Sequence, residues 1–87
     1  MGWRIEFSGG ANKALARLDA RTVERILRYL HERVLLDPRR AGKPLVGSRL
    51  GNYWRYRIDD YRVIANLQDE VLQVLVIRIG HRRDIYR

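Results

Sequence analysis

The chain has 87 residues and no cysteine, which suits one domain spanning 1–87 with one modest core and excludes disulfides, thiolate chemistry and a large cofactor cleft. No apolar run approaches the roughly 20 residues that span a membrane, and the opening MGWRIEF lacks the apolar stretch of an export signal, so a cytoplasmic protein without a membrane partner is expected. Eighteen Lys and Arg face ten Asp and Glu, sixteen of the eighteen are Arg, and the pI is near 10.8; such a domain is expected to meet a polyanion, either nucleic acid or an acidic protein segment, and charge does not separate the two.

In chain order, Trp3-Arg4-Ile5-Glu6-Phe7 alternates apolar and polar residues and predicts a strand. Ser8-Gly9-Gly10 ends it, and Ser8 is placed to cap a helix. Ala11, Ala14, Leu15 and Leu18 fall at helical spacing, as do Val23, Ile26, Leu27, Leu30 and Val34, with Asp19 as the N-cap of the second helix. Arg17, Arg21, Arg25 and Arg28 form a basic stripe if the two helices are nearly continuous; an ordinary solvated face and a surface for ribosomal RNA are both open. Residues 37–44 read as a loop from their Pro, Gly and charge. Tyr53 to Ile58 alternates, with Tyr53, Arg55 and Arg57 on one face and Trp54, Tyr56 and Ile58 on the other. Asp59-Asp60 suits a tight turn, Tyr61 to Leu67 a further strand, and Gln68-Asp69-Glu70 another turn. Val71 to Ile79 is β-branched and nearly all apolar, as in a central strand.

The order β-α-α-β-β-β defines an α+β fold, a small and mainly antiparallel sheet with two N-terminal helices packed on one face. The other face is left partly open. Arg55 and Arg57 would project from it, Arg62 would lie just past the hairpin, and Gly80-His81-Arg82-Arg83 would leave the end of the last strand with Tyr86 in reach. Such a cluster suits RNA cleavage by the 2′-hydroxyl, which needs a proton removed, charge on phosphorus stabilised and the leaving oxygen protonated. Arg serves the middle task and is a poor base. Histidine is the usual side chain for moving a proton near neutral pH, so His81 could do so, and Tyr86 can stack on a base. Each residue also has a purely structural reading: ion pairs of Arg55 and Arg57 with Asp59, Asp60 or Glu6, a capping or packed His81, an anchoring Tyr86. The two tryptophans read as core. Neither a metal cage, nor a carboxylate pair, nor a glycine-rich phosphate loop is evident, and no cofactor is expected.

Leu45-Val46-Gly47, Tyr53-Trp54-Arg55-Tyr56-Arg57-Ile58, Asp60-Tyr61-Arg62-Val63-Ile64 and Gly80-His81-Arg82-Arg83-Asp84-Ile85-Tyr86 together resemble the RelE branch of the RelE/ParE toxin superfamily. The resemblance covers nearly the whole chain. It implies the toxin of a type II toxin–antitoxin pair, an endonuclease that enters the ribosomal A site and cuts messenger RNA through the 2′-hydroxyl without metal. It further implies that Arg55 and Arg57 engage RNA and the nucleophile, that Arg62 steadies the scissile phosphate, that Arg82 helps the leaving group or the transition state, and that Tyr86 stacks on a base and orients the substrate. Arg83, Arg49 and Lys43 are expected to contact RNA as well. Arg stands at 55 and 57 where some relatives carry Lys, which favours an electrostatic role there, and His81 is a titratable group that some relatives lack, expected to share proton transfer. With the sequence running to Arg87, no C-terminal helix is expected.

The implied partners are the ribosome with its message and a cognate antitoxin whose acidic, partly disordered tail folds over the basic face; promoter DNA would be met only through the antitoxin. Two other functions fit the same residues: a ParE-type inhibitor of DNA gyrase, and a non-catalytic basic RNA- or ribosome-binding module.

Overall fold

The structure, a computed structural model, describes residues 2–45 and 52–85. Strand β1 (Arg4–Phe7) leads through Ser8 into helix α1 (Gly9–Ala16), and helix α2 (Ala20–Tyr29) continues into a π-helical turn, Leu30–Val34. The remaining strands are β2 (Lys43–Pro44), β3 (Tyr53–Ile58), β4 (Tyr61–Gln68) and β5 (Gln73–His81), with a 3-10 turn at Asp69–Val71. The α+β architecture is the expected one. Both N-caps are where the sequence puts them: the Ser8 hydroxyl accepts from the Ala11 amide at 3.1 Å and the Asp19 carboxylate from the Thr22 amide at 3.1 Å, each satisfying a donor the first helical turn cannot pair. Hydrogen bonding from the Thr22 side chain, and after it from the Thr22 amide, lowers the Asp19 pKa.

The sheet order is β1-β5-β4-β3-β2. Strands β2 to β5 pair antiparallel, and β1 joins the far side of β5 in parallel. The strand β2 is an addition to the expected order. Its two residues lie in the segment read as a loop, and their composition carries no strand signal; they become strand because β3 offers them an edge.

One face of the sheet packs on the helices. Ala11, Ile26, Leu30 and Val34 from the helical layer meet Tyr56, Ile58, Val63, Ala65, Leu67, Val74, Val76 and Ile79 from the strands, with Trp3 and Trp54 packed against this cluster. Two tyrosine hydroxyls then tie down the 37–42 segment: Tyr56 donates to the Pro38 carbonyl and Tyr29 to the Ala41 carbonyl, both at 2.8 Å. Burial pushes the Tyr56 phenol far above its ordinary pKa, so it stays a donor. Arg39 crosses to Asp69 with a bidentate pair at 2.8 Å and lies over the Trp54 ring at 5.9 Å. That hydrogen bonding holds the Asp69 carboxylate below its usual range. Together these contacts fix the approach to β2, and so the place of Lys43.

Tyr56→Phe removes a donor from a buried carbonyl without changing shape. The expected loss is about 1–2 kcal/mol, read as a fall of roughly 5–10 °C in Tm for a domain this small. An unchanged Tm would show that the bond contributes nothing.

Candidate nucleic-acid interface

The register assembles the other face. In β3 the alternation that sends Tyr56 and Ile58 into the core sends Arg55 and Arg57 to the uncovered side. Antiparallel partners share a face, so the pairing Arg57↔Arg62 puts those two residues opposite each other on it, with Gly80 next in line. Two residues along, Lys43 pairs with Arg55, Arg55 with Ile64, and Ile64 with Arg78. The cations therefore lie in two cross-strand rows, neighbouring strands about 4.8 Å apart and the rows about 6.8 Å apart.

Arg62 is 7% exposed. Its Nη1 donates to the Asp59 and Tyr61 carbonyls at 3.0 and 2.9 Å, which anchors one arm of the fork on the hairpin turn. Guanidinium carries five donors, and among the described residues the other three make no hydrogen bond. The turn itself is strained: Asp59 has φ 53°, a left-handed conformation that Asp tolerates better than most residues. Its carboxylate pairs with Arg25 at 2.7 Å, and Asp60 receives the Arg82 amide on its carbonyl at 2.7 Å, with Arg82 Nε 3.6 Å from its carboxylate. Both acids are thus engaged by Arg25 and Arg82. Among the described residues Arg55 and Arg57 make no ion pair, and Arg55 Nε is buried without a hydrogen-bond partner, an arrangement that costs free energy until an acceptor is found.

Beyond β5 the tail turns at once. The amides of Asp84 and Ile85 donate to the His81 carbonyl at 2.9 and 3.0 Å. Ile85 is 3% exposed and folds back over Gly80, where an added Cβ would meet its Cδ1 at 3.2 Å.

His81 does not join the cations. It pairs with Tyr61 in the register and stacks edge-on against that ring at 5.6 Å, on the helix side of the sheet. Its Nδ1 accepts from the Arg83 amide at 3.2 Å. The structure thus places His81 beside the tail turn, on the other side of the sheet from the two cation rows. Arg83 is exposed within that turn. Lys43 lies at the outer edge of the second row. Arg49 and Tyr86 lie outside the described residues. Arg78, absent from the sequence-based set, is the one charge in β5; a lone Arg in an apolar strand was the available signal. A groove of about 570 Å³ lined by Tyr29, Arg33, Leu36, Asp37, Arg40 and Ala41 contains none of the expected site residues. Among the described residues no cluster of His, Cys, Asp and Glu could hold a metal, and no helix is long and apolar enough to cross a membrane.

A two-layer α+β domain whose sheet face opposite the helices carries Arg55, Arg57 and Arg62 is suited to an anionic polymer. The family model for the ParE toxin of type II toxin–antitoxin systems matches residues 5–86, and the chain belongs to that family, within the RelE/ParE toxin superfamily. It is 30% identical over 87 residues to toxin RelG of Mycobacterium tuberculosis, covering 100% of this chain and 99% of that protein. The RelBE2 toxin–antitoxin complex of the same organism contains a chain that superposes with a TM-score of 0.84 at 26% identity, over 94% of this chain and 100% of the other. The intact RelBE toxin–antitoxin complex of E. coli gives a TM-score of 0.78 at 28% identity, over 91% and 95% of the two chains.

Proposed function

We propose that this toxin is a metal-independent endoribonuclease that cuts messenger RNA in the ribosomal A site. The observation that carries the reading is the pairing of Arg57 with Arg62 on the uncovered face, with Arg55 one step along β3 and Arg82 held at the same turn by the Asp60 carbonyl. Arg62 holds the scissile phosphate with the donors its turn contacts leave over. Arg55 and Arg57 gather charge around the 2′-hydroxyl, lowering the cost of its deprotonation rather than taking the proton themselves. Arg82 faces the leaving 5′-oxygen, and Tyr86 stacks on a base. Lys43, Arg49 and Arg83 hold flanking RNA. The acid and base are then the RNA, water or ribosomal groups, since His81 is turned away. The face that meets RNA also suits the acidic tail of a cognate antitoxin, as the relatives solved as toxin–antitoxin complexes suggest.

The ParE name of the matching family favours one other reading, inhibition of DNA gyrase. Primer extension on an abundant transcript after induction, for the wild type beside Arg82→Ala, separates the two. The Arg82–Asp60 pair is exposed and long, so its loss should leave folding intact. Discrete stops inside translated codons, reduced about a hundredfold in the variant, support the nuclease. Growth arrest with intact messages would sink it and favour gyrase.

A further inference from the structure

Strict alternation along β5 would put Val74, Val76 and Arg78 on one face and His81 on the other. The structure departs from this at one place. Between Ile64 and Ala65 on β4 the register advances one residue, while on β5 it jumps from Arg78 to Val76. Ile77 is therefore an extra residue, and such a bulge reverses which side every later side chain takes. Val74 and Val76 face the core before it, and Ile79 faces the core after it. Arg78 is thereby moved to the uncovered face and His81 off it.

From this geometry we propose that Arg78 is an RNA-backbone contact, the far end of a second phosphate-binding row formed with Lys43 and Arg55; the inference rests on the nuclease reading above. The row crosses four strands, Lys43–Arg55–Ile64–Arg78. Ile64 is 4% exposed although both helices pack on the opposite side, so the row has an apolar floor of the kind long Arg stems cover while their charged heads stay in water. Arg78 is exposed, and among the described residues it has no carboxylate partner. Nor does a neighbouring strand screen it, because β1 pairs with β5 only as far as Val76. Arg55 Nε, buried and unpartnered, gains an acceptor if its guanidinium turns toward a phosphate oxygen lying over the row. The two rows are about 6.8 Å apart, so a strand whose scissile phosphate sits on Arg57 and Arg62 lays a neighbouring phosphate across Arg55 and Arg78. Lys43 and Arg78 thus position RNA beside the cut with no part in the bond-making step, and Arg55 joins them to the groups around the nucleophile.

The test is single-turnover cleavage of a message on programmed ribosomes, with the purified chain in increasing excess. Arg78→Ala is expected to raise the half-saturating toxin concentration about five- to tenfold, the effect of one charge-assisted contact, with the maximal rate within about twofold of wild type. Arg78→Lys is expected to restore most of the loss. Lys13→Ala removes the same charge from α1 and is expected to change little. Half-saturation in Arg78→Ala equal to that of Lys13→Ala overturns the proposal while leaving the nuclease reading in place. A loss confined to neutralisation by the co-encoded antitoxin assigns the row to a protein partner and overturns it too. If the wild type does not cut, the reading on which the inference rests fails, and the inference with it.

Discussion

Arg62→Ala is expected to abolish most message cleavage, by about 10²–10³ in the maximal single-turnover rate on programmed ribosomes. The size follows from the preorganisation of the side chain. Arg62 is 7% exposed and its Nη1 is already bound to the Asp59 and Tyr61 carbonyls, so its remaining donors are held in place before RNA arrives. Arg57 sits directly opposite, and the two together offer a phosphate more than one pair of donors. Lys in place of Arg62 provides a point charge on a flexible stem. With three donors on one nitrogen it cannot hold both carbonyls and give a phosphate two parallel bonds, and at least a tenfold loss is expected for Arg62→Lys. The carbonyls freed in Arg62→Ala lie at a turn that water reaches, so the accompanying destabilisation should be about 1–2 kcal/mol, visible in Tm yet small beside the rate effect. Cleavage by Arg62→Ala within threefold of wild type would remove Arg62 from the mechanism.

Gly42→Ala should be the most damaging small change to stability. A Cβ at that position would stand 2.5 Å from the Arg55 carbonyl oxygen and 2.6 and 2.7 Å from two atoms of the Tyr56 ring. Neither neighbour can yield cheaply. The carbonyl belongs to β3, and the ring is fully buried with its hydroxyl fixed on Pro38. Overpacking of this kind costs about 3 kcal/mol, a fall of more than about 10 °C in Tm. Gly9 is the matched control: nothing lies within 4 Å of a Cβ there, and Ala at the start of α1 should leave Tm unchanged or slightly higher. Equal melting of the two variants would contradict the packing described for the 37–42 segment. Because Lys43 follows Gly42 and pairs with Arg55, the same variant should also loosen the edge of the cationic face.

Much of this molecule is legible in its sequence. Ser8 and Asp19 mark the helix starts because only short polar side chains satisfy free amides there. The alternation from Tyr53 to Ile58 divides Arg55 and Arg57 from Tyr56 and Ile58, since one face of the strand had to be apolar. Asp59-Asp60 signals the turn that aligns Arg57 with Arg62. These are local rules, and the residues concerned obey them within a few positions of the chain. The sequence by itself thus determined the α+β class, the two-helix cover and three of the cations on the open face. Three further features depended on the tertiary structure. Lys43–Pro44 is a strand only because the β3 edge is free to pair with it. The parallel seat of β1 beside β5 joins residues about 70 positions apart, which no local pattern encodes. The single extra residue Ile77 in β5 exchanged Arg78 for His81 on the cationic face. An apolar run reads the same with or without a bulge, and only the fit of Val74, Val76 and Ile79 against the helices decides where the extra residue goes.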